Sequence, residues 1–212
     1  MYLAVGTRPD IALAVSNLSQ FLDNPSMDHW KAAKRVLRYL QGTIKLGIVY
    51  DGKCEQPNKL IAYSDADLAT CVDTRKSMSG VTLLLNSGPI IWSARKQGVV
   101  ATSTTDAEYI AAHDAAKEIV WTRGLLEEIG AAQESPTTLN CDNAAAEKLI
   151  KNAVFHRRTK HVDIKYHYIR QVYEEEKLEI QHVASQDQLA DIFTKPLTRE
   201  KFVINRNRLG MA

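Results

Sequence analysis

The chain has 212 residues, with 27 Lys and Arg against 25 Asp and Glu, a formal charge of +2. That length suits one domain or one domain with a substantial extension, and 45% hydrophobic with 25% charged residues excludes collagen, coiled coil and pure disorder. No apolar run approaches the 18 or more residues of a membrane span, so no membrane partner is expected, and the small net charge confines any nucleic-acid footprint to a local patch. The N-terminus lacks the pattern of a secretory signal, and Cys54, Cys71 and Cys141 lack zinc-site spacing, so free thiols in a reducing compartment are expected.

Along the chain, Ile11, Ala14, Val15, Leu18 and Leu22 fall on one helical face, which predicts a helix over 9–22 ended by Asn24-Pro25-Ser26. Trp30, Ala33, Val36, Leu37 and Leu40 repeat the pattern, with Lys31, Lys34, Arg35 and Arg38 mostly on the other face and Gly42 closing the helix. Leu46, Ile48 and Tyr50 alternate as a possible strand. Turn-forming residues then mark a boundary: residues 1–52 are expected as a helical hairpin unit, 53–58 as a linker, 59–198 as the main domain and 199–212 as a C-terminal tail.

Three β-like runs follow at 60–63, 81–85 and 90–92, broken at Gly80 and at Asn86-Ser87-Gly88-Pro89. A long helix is predicted over 105–129, then a strand at 139–141, a helix over 144–150, another over 162–176 and a strand over 178–183. Ser185 with Gln188 has the form of a capping box opening a last helix that must stop by Pro196. This order predicts an α/β fold with a five-stranded mixed sheet.

Four carboxylates stand where strand ends and helix ends would gather them: Asp65, Glu108, Asp142 and Asp191. Singly, each has a structural reading: Asp65 in a turn, Glu108 favouring a helix N-terminus, Asp142 capping the next helix, Asp191 pairing with Lys195 at i+4. Glu108, however, shares a face with Ala111, Ala112, Ala115 and Ile119, small and apolar residues that let this face lie close on a sheet. Carboxylates forced together repel, whereas hard divalent ions want such oxygen ligands, so a metal site explains the group. Asp67 rivals Asp65, whose parity it shares, and Asp106 more weakly rivals Glu108.

The segments Tyr63-Ser64-Asp65-Ala66-Asp67, Ala101-Thr102-Ser103-Thr104-Thr105-Asp106-Ala107-Glu108-Tyr109, Cys141-Asp142-Asn143 and Gln188-Leu189-Ala190-Asp191-Ile192-Phe193-Thr194-Lys195-Pro196 resemble the ribonuclease H domain of copia-type retrotransposon polyproteins. Thr7-Arg8-Pro9-Asp10-Ile11 and the run from His29 to Leu40 look like the C-terminal end of the reverse transcriptase that precedes it. The resemblance implies a ribonuclease H-like five-stranded mixed sheet flanked by helices, preceded by an N-terminal helical hairpin. It further implies a metal-dependent endonuclease that hydrolyses the RNA strand of RNA–DNA hybrids during reverse transcription.

Carried over motif by motif, the catalytic and metal-binding set falls on Asp65, Glu108, Asp142 and Asp191, with two Mg2+ ions and Mn2+ as a substitute. The implied partners are the hybrid and the polymerase domain of the parent polyprotein, in a cytoplasmic virus-like particle or the nucleus; the oligomeric state is left open. A catalytically silent nucleic-acid binding or interaction module of the same fold, and a nuclease acting on DNA, are the competing expectations. No Tyr-x-Asp-Asp motif occurs, which excludes DNA synthesis by this chain alone, and no catalytic role is given to His182. Because a hybrid is recognised through phosphates and 2′-hydroxyls, candidate contacts are Arg75, Lys76, Arg95, Lys96, Gln97 and Asn143, with a second basic patch at Arg157, Arg158 and Lys160 whose alternative is a solvated surface.

Overall fold

A computed structural model describes residues 1–50, 57–151 and 160–212, with backbone alone over 160–166. Three helices open the chain: α1 (Tyr2–Gly6), α2 (Ala12–Ser19), entered through a 3-10 turn at Pro9–Ile11, and α3 (Met27–Gly42). Strands β1 (Ile61–Asp67), β2 (Met78–Leu85) and β3 (Gly88–Lys96) form an antiparallel meander, followed by the long helix α4 (Thr104–Glu128). Strand β4 (Thr137–Cys141), helices α5 (Ala144–Lys151) and α6 (Lys160–Glu174), and strand β5 (Leu178–His182) complete one sheet of order β3-β2-β1-β4-β5. β4 pairs in parallel with both β1 and β5, which requires the helical crossovers expected between them. A 3-10 helix (Leu189–Phe193) and α7 (Arg199–Arg208) end the fold.

Each sheet face carries its own core. Leu60, Ala62, Val81, Leu83, Leu139 and Ile180 meet Ala112, Ala115, Ala116 and Ile119 of α4, the small-residue face that lets the helix approach closely. On the opposite face Tyr63, Leu84, Trp92 and Ala94 lie beneath the 3-10 helix, Leu209 and Met211, together with Ala12, Leu46 and Ile48 from the N-terminal segment. The N-terminal residues therefore share a core with the last part of the chain. Trp92 Nε1 donates to the Ala4 carbonyl at 2.7 Å, and the Gly47 and Ala212 backbones exchange two hydrogen bonds at 3.0 and 3.1 Å.

The Thr7-Arg8-Pro9-Asp10 motif has a packing role. Pro9 starts the 3-10 turn, where a missing N–H is harmless. Arg8 and Asp10 form a buried pair at 2.7 Å, Arg8 also donates to Thr43, and Tyr39 Oη donates to Asp10 at 2.7 Å. Both charges are paired and hydrogen-bonded, the condition for burying them.

The structure corrects three local expectations. Residues 46–50 form no strand; they give one isolated bridge, Ile48 to Met211. The last predicted helix is a short 3-10 turn, opened by Gln188, whose side chain accepts from the Ala190 N–H at 3.2 Å, and not by Ser185. The expected tail 199–212 is helix α7 and an ordered end: Thr198 caps it, and Asn205, Leu209 and Met211 are buried. Its apolar anchors, Phe202 aside, sit past its C-terminus, so no amphipathic stripe announced the helix. Among the described residues no helix is long and apolar enough to cross a membrane.

Gly80 sits opposite Asp65 in the β1–β2 pair, and a Cβ there would lie 2.8 Å from the Ala190 carbonyl oxygen and 2.9 Å from Phe193 Cβ. Neither neighbour can swing away as a side-chain tip would. Gly80→Ala is expected to lift the 3-10 helix from the sheet and cost at least about 2 kcal/mol, read as a lowered midpoint in urea. An unchanged midpoint would mean that this helix is not seated on Gly80.

Candidate metal centre

β1 and β4 run side by side with Tyr63 level with Asn140. Two residues further along each chain stand Asp65 and Asp142, so the parallel register alone sets both carboxyl groups at the same carboxyl end of the sheet. Asp191 arrives from the 3-10 helix seated on β1 and β2. Oxygens of Asp65, Asp142 and Asp191 lie within 4.8 Å of one another, the first and last buried and Asp142 half-buried. Asp142 is not a helix cap: Asn143 caps α5, its Oδ1 accepting from the Ala145 and Ala146 N–H groups at 3.0 Å.

Glu108 reaches the same end of the sheet from the α4 side. Ser103 caps α4 by accepting from the Asp106 N–H at 3.1 Å, which starts the helix so that Glu108 falls on its inward face. Its carboxyl is buried, held by an Ala66 backbone hydrogen bond, and its Oε2 has no hydrogen-bond partner. Glu108 is not one of the three mutually close carboxylates, yet Asp65 and Asp142 act on it electrostatically. The rival Asp106 is instead hydrogen-bonded to the Thr102 hydroxyl at the helix start, and Asp67 is half-buried outside the trio.

Cations and hydroxyls balance the group. Lys195 Nζ lies 2.7 Å from Asp191 Oδ1 and 3.7 Å from Asp65 Oδ2, Lys201 Nζ meets Asp191 Oδ2, and Thr194 Oγ1 donates to Asp65 Oδ2. The pairing of Asp191 with Lys195 at i+4 is thus present, and it coexists with membership of the cluster. Thr194 and Lys201 were not singled out in the sequence, since hydroxyls and lysines outside a charge run carry no signal. Gln188 was expected only as a capping partner, whereas its buried Nε2 also donates to the Ser64 carbonyl at 2.9 Å and fixes the 3-10 helix beside β1.

Burial pushes Asp65 up to about 6, against the pull of Lys195 and Thr194. Burial, then Asp65 and Asp142, push Glu108 up to about 9. For Lys195 burial disfavours the charge, but Asp65 and Asp191 outweigh it and hold the amine at about 12. The folded chain without metal therefore keeps a proton on Glu108 that the unfolded chain releases above its ordinary value of 4.5. The sign follows: stability falls as pH rises from about 4.5 towards 9, and between pH 6 and 9 Glu108 dominates the loss. Urea melts in chelator should show the decline between pH 6 and 9 in the wild type and its near absence over that range in Glu108→Gln; an equal slope there in the variant would refute the assignment.

Three close carboxylates and an orphaned Glu108 oxygen fit hard divalent cations, which take oxygen ligands and offset the repulsion. Arg75 and Arg95 are exposed. Lys76 and Lys96 line a cleft of about 270 Å³ between the N-terminal helices and the sheet, with Gln20, Cys71 and Thr194 on its walls. Lys96 is partly engaged there, donating to Gln20 Oε1 at 2.8 Å. Gln97 is a correction: it is buried, and its amide donates to Ser79 Oγ and the Ala107 carbonyl, fastening α4 to β2 and not facing a substrate. Asn143 uses its Oδ1 as the α5 cap. Arg157 and Arg158 lie outside the described residues, as does the Lys160 side chain. His182 has its ring 3.2 Å from the Asp142 carbonyl.

A five-stranded mixed sheet with helices on its faces and acidic residues gathered at the ends of β1 and β4 is a ribonuclease H-like fold. In a solved structure of the foamy viral protease–reverse transcriptase in complex with an RNA/DNA hybrid, 24% of that chain matches 92% of this one with a TM-score of 0.51 and 12% identity. No family model matches the chain. It is 41% identical over 211 residues to the retrovirus-related Pol polyprotein from transposon TNT 1-94 of Nicotiana tabacum, and 43% identical over 210 residues to that from transposon RE2 of Arabidopsis thaliana. Over its whole length the chain is similar to one segment of these copia-type, retrovirus-related Pol polyproteins. It is matched over 100% and 99% of its length but spans only 16% and 14% of those two relatives.

Proposed function

We propose that this chain is the ribonuclease H segment of such a polyprotein and hydrolyses the RNA strand of RNA–DNA hybrids with Mg2+, or Mn2+ in its place. The convergence of Asp65, Asp142 and Asp191, with the unpartnered Glu108 oxygen behind them, carries this reading. Asp65, Asp142 and Asp191 would hold the ions, and Glu108 would join them once its proton leaves. When bound, a pair of such ions supplies an activated water and stabilises the leaving 3′ oxygen. The chain needs no nucleophile of its own. Its residues orient the ligands through Thr194 and Gln188 and keep the carboxylates on the rigid ends of strands.

Arg75 and Arg95, exposed near the cleft that holds Lys76 and Lys96, suit a phosphate backbone followed by shape and charge. The polymerase part of the same polyprotein is the proposed protein partner. The test is incubation of the purified chain with an end-labelled RNA–DNA hybrid, duplex DNA and duplex RNA, each with Mg2+ and with chelator. Mg2+-dependent cleavage confined to the RNA of the hybrid is expected. Cleavage of duplex DNA instead would make it a DNA nuclease, and binding without cleavage of any substrate would make it a silent module.

A further inference from the structure

Residues 1–50 place no side chain in the trio of carboxylates, yet they are tied to it through the C-terminal helix. On one side of α7, Arg206 Nη1 donates to Tyr39 Oη at 3.4 Å, and Tyr39 Oη donates in turn to Asp10, the buried partner of Arg8. The Phe202 ring meets the Tyr39 ring edge-on with centroids 6.0 Å apart. On the other side Lys201 Nζ meets Asp191 Oδ2 and donates to the Ser185 carbonyl at 3.0 Å, while Asn205 Nδ2 donates to the Gln188 carbonyl at 3.3 Å. Beyond α7, Val49 N–H donates to the Gly210 carbonyl at 2.8 Å, so the N-terminal segment also clasps the end of the helix.

We infer that Lys201 is a positioning residue for Asp191 and that α7, braced by the N-terminal helices through Tyr39 and Arg206, sets the geometry of the metal ligands. The inference rests on the metal-centre reading above. Asp191 has two oxygens with different company. Oδ1 faces Lys195, whose amine is shared with Asp65, on the side where the carboxylates converge. Oδ2 is taken by Lys201 from outside the trio. A carboxylate pinned through one oxygen presents the other in a fixed direction, which is how outer partners usually tune a metal ligand.

A mere counter-charge and a positioning group predict opposite signs. If Lys201 only neutralised Asp191, Lys201→Met would add net negative charge and tighten cation binding. If it positions Asp191, the same change frees the carboxylate to rotate and weakens binding. Titration calorimetry of the full chain with Mn2+ is expected to show Lys201→Met binding at least about tenfold more weakly, the lower end of the range known for outer partners of metal ligands. Lys201→Arg should restore most of the affinity. Tyr39→Phe, which removes the hydroxyl linking α7 to Asp10, should weaken binding in the same direction by a smaller factor, with near-wild-type circular dichroism.

Unchanged or tighter Mn2+ binding in Lys201→Met would overturn the inference while leaving the nuclease reading intact. Wild-type affinity in Tyr39→Phe would remove the N-terminal brace from it. A wild-type chain that binds no Mn2+ at all would overturn the inference and the metal-centre reading together.

Discussion

Replacing Asp142 by Asn should reduce cleavage of an RNA–DNA hybrid at least about a hundredfold, beyond the loss usual for an outer partner of a metal ligand. The reason is local: Asp142 shares one end of the sheet with Asp65 and lies in the trio whose oxygens fall within 4.8 Å of one another. An amide of the same shape keeps the packing and removes one negative charge from ions that the remaining groups must hold. Asp65→Asn and Asp191→Asn should behave alike. Asp142→Asn should not unfold the chain, since Asp142 is half-buried and in chelator the change relieves repulsion among the carboxylates. A thermal melt in chelator, run beside the gel assay, separates the two effects. Substantial Mg2+-dependent cleavage by a well-folded Asp142→Asn would sink the two-ion reading.

Deleting residues 1–57 should cost the protein its fold or its solubility. The boundary at 53–58 sets residues 1–52 apart as a helical unit of their own. The packing argues otherwise, because Ala12, Leu46 and Ile48 share a core with Trp92, Ala94, Leu209, Met211 and the 3-10 helix that carries Asp191. The deletion exposes that face, removes the bonds of Trp92 to Ala4 and of Tyr50 to Pro89, and unties Met211 from Ile48. Several apolar side chains re-exposed at about 1.5–3 kcal/mol each approach the whole stability of an ordinary domain. Expression, gel filtration and circular dichroism of the deleted chain decide it. A monodisperse product with a melting temperature within a few degrees of wild type would restore the view of residues 1–52 as a detachable unit.

These helices are not fully covered even in the intact chain. Trp30, Leu37 and Leu22 are exposed, and α3 buries no residue completely. The helical pair is thus half-integrated: its inner side is part of the fold, and its outer side is an apolar and basic surface in a chain that spans a small fraction of its relatives' length.

What the sequence determined by itself was the set of elements and the identity of the acids. Period-two and helical patterns are local properties, so five strands, the long α4 and the helical pair were legible, as was the small-residue face that turns Glu108 inward. The motifs around Asp65, Glu108, Asp142 and Asp191 carried the family. Local pattern could not decide between Asp142 and Asn143 as the cap of α5; only the placement of β4 beside β1 left the aspartate for the site. Nor could it find α7, whose anchors come mainly from residues beyond its end and from hydrogen bonds to Gln188, or show that Gln97 is an internal fastener. The boundary at 53–58 was drawn from turn-forming residues, which mark a change of direction and carry no information about whether the segments on either side share a core. That sharing, like the two lysines on Asp191, arises from contacts between residues far apart in the chain, which only the tertiary structure brings together.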